Sequence, residues 1–188
     1  MPEPYIVGRM SEPKLIMLSG FAGIGKSTIA ERYINEHPLA MNLEGDRLIV
    51  ALGQWAQHEE QARELVLKLS KAMAATHLAS GHDVIVPYLP TKPEHLGEFE
   101  DVAKEVGARF IEIALTSDRE ETIQRLMKRG TWGEEGTDPI TDADLPIIED
   151  LYDKMDASLE IRPGTIQIPS VENDYDGTYQ RFLRAIEQ

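Results

Sequence analysis

Cysteine is absent from the 188 residues of this chain. Disulfide frameworks, zinc ribbons, iron–sulfur sites and cysteine nucleophiles are thereby excluded, and a chain without thiols suits a reducing compartment. Nothing approaches the run of roughly 18 apolar residues that crosses a bilayer. Met1 to Met10 carries two prolines, a glutamate and no apolar run; it does not read as a secretory signal, and a cytoplasmic location is expected. Positive charge is scarce. Lys+Arg total 19 against 33 Asp+Glu, a formal net charge of −14, which repels nucleic acid and anionic membrane at long range. Neither partner is expected. A phosphate could still be held locally, because backbone N–H groups and one lysine suffice. Metal-ligand spacing is missing too. His37, His58, His77, His82 and His95 form no motif, and His58-Glu59-Glu60 lacks the second histidine of H-E-x-x-H. All five read as surface or structural.

What is present is an ordinary globular composition, 41% hydrophobic and 28% charged. The length suits one domain over residues 1–188. Lys14 to Ser19 is a short apolar run followed by glycines, as in a strand buried on both faces. Ser27 to Glu36 reads as a helix stopped by Pro38, and a weak strand follows over Leu39 to Leu43. From Gln57 to Ser80, Ala62, Leu65, Val66, Leu69, Ala72, Met73 and Thr76 recur at helical spacing, so this is the longest expected helix. Its stripe reads as core and as one wall of a cleft.

Asp83 to Val86 reads as a strand closed by Pro87. Pro93 and Gly107 bracket another helix, and Arg109 to Leu115 is the next strand. Ser117 and Glu120 have capping-box spacing before a helix to Arg129. Thr131 to Pro139 reads as a mobile loop, Asp142 to Leu159 as a helix, Thr165 to Ile168 as a strand, and the last dozen residues as a helix. Strands alternating with helices predict an α/β fold with a parallel sheet and helices on both faces.

Gly20 to Ser27, Gly-Phe-Ala-Gly-Ile-Gly-Lys-Ser, matches the P-loop pattern G-x-x-x-x-G-K-[ST] between that first strand and the first helix. Glycines let the backbone approach an anion, successive N–H groups form a nest, and the helix N-terminus adds positive potential. Gly23, Ile24, Gly25, Lys26, Ser27 and Thr28 are therefore the expected nucleotide-binding residues. Lys26 would reach the β- and γ-phosphates, and the Ser27 hydroxyl would ligate Mg²⁺. The loop alone does not give the reaction. A GTPase would need Asn-Lys-x-Asp, which is missing, and the only Asp-x-x-Gly run, Asp174 to Gly177, lies too near the C-terminus. A motor would end an apolar strand in an acidic metal ligand, whereas Val84-Ile85-Val86 ends in Pro87-Tyr88.

With the phosphate loop, Asn42-Leu43-Glu44-Gly45-Asp46-Arg47 and Arg125-x-x-x-Arg129-Gly130, the chain resembles the small P-loop kinases. It is similar to the nucleoside-monophosphate, shikimate and gluconate kinases, and especially to the chloramphenicol phosphotransferase and zeta-toxin-like group. Val84 to Pro87 followed by Pro93-Glu94 also resembles the tunicamycin-resistance proteins. The resemblance implies a five-stranded sheet in the order 2-3-1-4-5 with a small lid over about residues 130–145. It implies ATP and Mg²⁺, and transfer of the γ-phosphate to a hydroxyl of a small-molecule acceptor. Asp46 is the implied base, with Glu44 as the other choice; the plain alternative is that Asp46 caps the following helix. Arg125 and Arg129, four apart, share a helix face and would offset charge on the phosphoryl group. A cation-rich helix end is the alternative reading. Trp132 would pack on substrate or anchor the loop. By resemblance, Arg162 to Thr165 and the turn after Ile168 would contact adenine, unless they are ordinary turns.

From Glu134 to Glu160 the chain carries ten Asp or Glu residues and one basic residue, Lys154. This reads as a solvated face, or as attraction for a cationic acceptor. Two rival functions remain open at this stage: a nucleotide-dependent ligand-binding protein of the resistance or sensor kind, and an ATPase needing no acceptor.

Overall fold

The computed structural model describes residues 12–133 and 138–188. The segment Met1 to Met10, and residues 134–137 of the expected loop and lid, lie outside the described residues. Five strands form one parallel sheet: β1 (Lys14–Ser19), β2 (Met41–Asn42), β3 (Val84–Tyr88), β4 (Arg109–Thr116) and β5 (Ile166–Pro169). Their order is β2-β3-β1-β4-β5, the order implied by the resemblance, and this is the P-loop NTPase fold. The helices between them are α1 (Lys26–Glu36), α2 (Gly45–Ile49), α3 (Glu59–Ala79), α4 (Pro93–Glu105), α5 (Arg119–Arg129), α6 (Leu145–Glu160) and α7 (Tyr175–Ile186). Among the described residues, no helix is long and apolar enough to cross a membrane.

Parallel strands need crossovers that cover both faces, so central strands lose the apolar-polar alternation of a half-exposed sheet. β1 shows this directly, with Leu15 to Ser19 all buried. Ile16, Leu18, Ile85 and Ile113 point to one side, where Ile29, Ala30 and Tyr33 of α1 meet Tyr179 and Phe182 of α7. Leu15, Met17, Val84 and Val86 point to the other, against Ala74 and Leu78 of α3 and Leu96 and Phe99 of α4. A third cluster gathers Phe21 and Ala114 with Leu126 of α5 and Ile148, Met155 and Leu159 of α6.

Several local expectations need correction. The second strand is two residues long, not five, and Leu39 sits exposed at φ 62°. β3 does not stop at Pro87 but runs through it to Tyr88. β2 pairs only with Val84 and Ile85, so beyond them β3 has an open side where a missing N–H costs no ladder bond. The α5 cap is Asp118, whose side chain accepts from Glu121 N–H; Ser117 instead donates to the Glu121 carboxylate. On α3 the buried line is Ala62, Val66, Ser70, Ala74 and Leu78, while Leu65, Leu69 and Met73 are exposed. Ala74 and Leu78 pack on the sheet and Ala62 and Val66 on Ile49 and Trp55, and Leu65, Leu69 and Met73 fall outside both contacts.

Candidate active site

The phosphate loop begins where β1 ends. Gly20 has φ +147°, and a Cβ there would sit 3.0 Å from the Leu115 carbonyl oxygen and 3.0 Å from a methyl of Ile24. Only glycine allows the chain to turn this close to β4. Gly25, at φ 105°, is the N-cap of α1 and offers no side chain to it. The first N–H groups of α1 are thus left for an outside acceptor, at the positive end of the helix. Ser170, just after β5, braces the loop by donating to the Ile24 carbonyl at 2.8 Å.

Lys26 folds over its own loop. Its Nζ donates to the carbonyls of Gly20 and Phe21, each at 2.8 Å. Burial pushes its ammonium down to about 8, with Asp46 and Glu44 pulling upward and Arg129 pushing further down. Four of the expected site residues, on α1, α2, α5 and the segment after β2, therefore share one electrostatic neighbourhood. Burial also lowers the Arg129 guanidinium, against the pull of Asp46.

Ser27 donates its hydroxyl to Glu44 Oε1 at 2.5 Å, and Arg47 holds the other Glu44 oxygen at 2.9 Å. Arg47 also pairs with Glu31. Glu44, the second choice on sequence grounds, is thus the carboxylate in contact with the P-loop serine. It is also the N-cap residue of α2, without a side-chain cap bond. Asp46 lies in the first turn of α2, next to the charge centre of Lys26 and Arg129. Arg125 and Arg129 part company despite sharing a helix. Arg129 donates to the carbonyls of Thr131 and Trp132. Arg125 is mostly buried, pairs through Nη2 with Glu121 at 2.5 Å, and leaves its Nε buried without a partner. That pairing holds the Glu121 carboxyl below its usual range.

Lys26, Ser27, Glu44, Asp46, Arg125 and Arg129 all line one cleft of about 2030 Å³. It extends from the P-loop past Glu44 and Asp46 into the space between α3 and α4, and on the other side to Val171 and Tyr175, both exposed. The turn after Ile168 does reach the site. Arg162 does not: it ties to Glu112 at 2.6 Å and Glu100 at 3.1 Å, and Thr165 also donates to Glu112. This segment precedes β5 and so stands at the opposite end of the sheet from the strand ends that carry the site. The acids of α6 behave as a solvated face. Asp150 pairs with Lys154 and Asp153 with Arg119, and Asp138 and Asp144 line the cleft. Among the described residues, no group of three or more His, Asp or Glu could hold a metal by itself.

Sequence reasoning set Tyr88 and the prolines around it along the acceptor pocket and read His95 as surface or structural, but did not bring the two together. Tyr88, at the end of β3, bonds His95 Nδ1 of α4 at 2.6 Å, and both line the cleft. The seven-residue spacing carries no motif, so no sequence signal marked it.

The profile of the AAA domain family matches residues 15–144. No curated protein matches the sequence. The APS kinase CysC of Mycobacterium tuberculosis, solved in complex with AMPPNP and APS, is similar with a TM-score of 0.58 and 21% identity, over 94% of this chain and 99% of that one. The tunicamycin resistance protein of Deinococcus radiodurans is similar with a TM-score of 0.61 and 13% identity, over 93% of this chain and 95% of that one. At such identities the likeness is one of fold.

Proposed function

The chain belongs to the AAA domain family, and from that premise we propose that it is a phosphotransferase moving the γ-phosphate of ATP to a hydroxyl of a small-molecule acceptor. The observation that carries this reading is the length of the cleft beyond the P-loop. A single small-ligand pocket is typically about 300–1,000 Å³, and this cleft, at about 2030 Å³, leaves room for a second reactant beside a nucleotide. The carboxylates Glu44 and Asp46 stand between its two parts.

The side chains fit a Mg²⁺–triphosphate. A hydroxyl and a carboxylate in direct contact, Ser27 and Glu44, are hard oxygen donors of the kind that ion takes. Ser27 would hold the metal, with Glu44 beside it; when bound, Mg²⁺ neutralises charge on the phosphate oxygens. Gly23 to Thr28 would cradle the phosphates with backbone N–H groups. Lys26 would leave the Gly20 and Phe21 carbonyls for the β- and γ-phosphates. Arg125, with its unpartnered Nε, and Arg129 would offset charge developing on the phosphoryl group. Asp46 would orient the acceptor hydroxyl and take its proton as the oxygen–phosphorus bond forms and the bond to the β-phosphate oxygen breaks. The loop after α5 would close over the reactants as a lid.

The test is ADP release from ATP and Mg²⁺ across nucleosides, sugars, amino sugars and antibiotics, with Lys26→Ala as control. An acceptor-dependent signal lost in Lys26→Ala, and lost in Asp46→Asn with ATP binding retained, supports the reading. Hydrolysis indifferent to every acceptor would replace it with an ATPase. ATP binding without turnover would replace it with a nucleotide-dependent binding protein.

A further inference from the structure

α3 forms one wall of the cleft and carries a second face outside it. Its six charged residues, Glu59, Glu60, Arg63, Glu64, Lys68 and Lys71, all line the cleft. None of Leu65, Leu69, Ala72, Met73, Thr76 and Ala79 does, although all six are exposed. Leu65, Leu69 and Met73 are 45%, 40% and 38% exposed. Leu65, Leu69, Ala72, Thr76 and Ala79 follow steps of four, three, four and three residues, the spacing of a coiled-coil seam. Thr76 donates its hydroxyl to the Ala72 carbonyl at 2.9 Å, so covering it strands no donor. Leu39, 69% exposed, is held beside the last turn of α3, where His77 Nε2 donates to its carbonyl at 2.7 Å. Single exposed apolar side chains are ordinary, but a contiguous uncharged strip rimmed by charge marks an interaction surface.

The charges beside the strip favour one kind of occupant. Three acids and three bases make α3 neutral, so a docking helix meets no excess of either sign there, despite the net −14 of the chain. Glu59 pairs with Arg63, and Lys71 with Glu98. Glu64 and Lys68, one turn apart on the cleft flank of the strip, have no ion pair among the described residues. A second α3 laid antiparallel, about a two-fold axis level with Leu67, sets Leu65 level with Leu69 of the other copy. Glu64 then comes within about 3 Å, measured along the helix, of Lys68 of the other copy, and symmetry makes this contact twice. A parallel copy would set Glu64 against Glu64 and Lys68 against Lys68, with the helix dipoles side by side in the same sense. The 21 residues of α3 make a strip about 30 Å long and about 10 Å wide. Two such strips, with Leu39 and the flanks, approach the roughly 1,000 Å² at the weak end of specific interfaces.

We propose that this face of α3 is where a second copy of the chain docks, the two helices antiparallel about a two-fold axis, with a Glu64–Lys68 pair on either side of it. Association through this face does not depend on the reaction in the cleft.

Sedimentation equilibrium of the full chain, from about 1 to about 300 µM, tests this. The expected average mass rises from one chain toward two, with a dissociation constant on the order of 10–100 µM. Leu69→Glu should weaken the dimer about thirtyfold or more, with an unchanged melting temperature because the side chain is exposed. Ile161→Glu, at an apolar position 65% exposed in the turn before β5, should leave it intact. Glu64→Lys should weaken association about fivefold, and Glu64→Lys combined with Lys68→Glu should restore it. A single-chain mass at every concentration, or association indifferent to Leu69→Glu, overturns the proposal. Failure of the double exchange to restore the dimer overturns the antiparallel pairing, and a mass that grows past two chains overturns the closed two-fold.

Discussion

Raising the pH from 7 to 9 should weaken nucleoside triphosphate binding about tenfold, because the free protein surrenders the Lys26 proton early. Burial under the phosphate loop brings this ammonium down to about 8. About nine-tenths of it is charged at pH 7 and about one-tenth at pH 9. A bound triphosphate places several negative charges beside Nζ and returns the group toward its ordinary value of 10.5, so binding above pH 8 takes up a proton. The ligand does not confuse the reading, since the last phosphate ionisation lies near about 6. Titration calorimetry at pH 8.5 in two buffers of different ionisation heat should report uptake of about three-quarters of a proton. Equal affinity at pH 7 and 9 with no buffer-dependent heat would refute the reasoning. The same shift has a consequence for the ligand-free protein. Unfolded Lys26 titrates near 10.5 and folded Lys26 near 8, so between those values the unfolded chain holds more protons. This residue therefore makes stability rise with pH across that window.

Ser27→Ala removes the hydroxyl that Glu44 accepts; the gain in nucleotide affinity on adding Mg²⁺ should fall about tenfold, with metal-free binding retained, as titrations with and without the ion would show. Arg162→Ala leaves the Glu112 carboxylate buried with its main partner gone, which should cost about 3 kcal/mol and lower the melting temperature by about 10 °C. Because that ion pair stands at the far end of the sheet, nucleotide affinity should not change. Gly20→Ala forces a side chain into φ +147° and against the Leu115 carbonyl, a strain of about 1–3 kcal/mol, and should abolish nucleotide binding before it abolishes folding, as read by calorimetry beside a thermal melt.

The elements that could be read from sequence were those whose cause is local. β1 is a run of apolar residues ended by glycine, and the α4 start follows from Pro93. α3 was legible as a helix but not in its orientation. Leu65, Leu69 and Met73 repeat as regularly as Ala62, Val66 and Ser70, and only the packing of α3 on the sheet and on α2 selects between the two lines. The end of β3 was misread because the harm a proline does depends on whether a neighbouring strand needs its N–H, and β2 stops too early to need it. Arg162 to Thr165 was placed near adenine although it precedes its strand; the end of the sheet a turn occupies follows from strand direction.

The site divides in the same way. Gly20 to Thr28 is contiguous, and its glycines, lysine and serine act through backbone geometry and a helix end that the same nine residues build. Sequence alone determined that element, a glycine turn followed by a helix start without a side-chain cap. The remaining groups are distant in the chain and meet only because the order β2-β3-β1-β4-β5 sets strand ends side by side. Glu44 rather than Asp46 touching Ser27, Arg125 turned inward while Arg129 holds its own loop, and the Tyr88–His95 pair all depend on which rotamer the packed neighbours leave open. Charge behaved likewise: a net −14 is a sum over the whole chain, and only the tertiary structure decided that Lys26, Arg125 and Arg129 line one cleft.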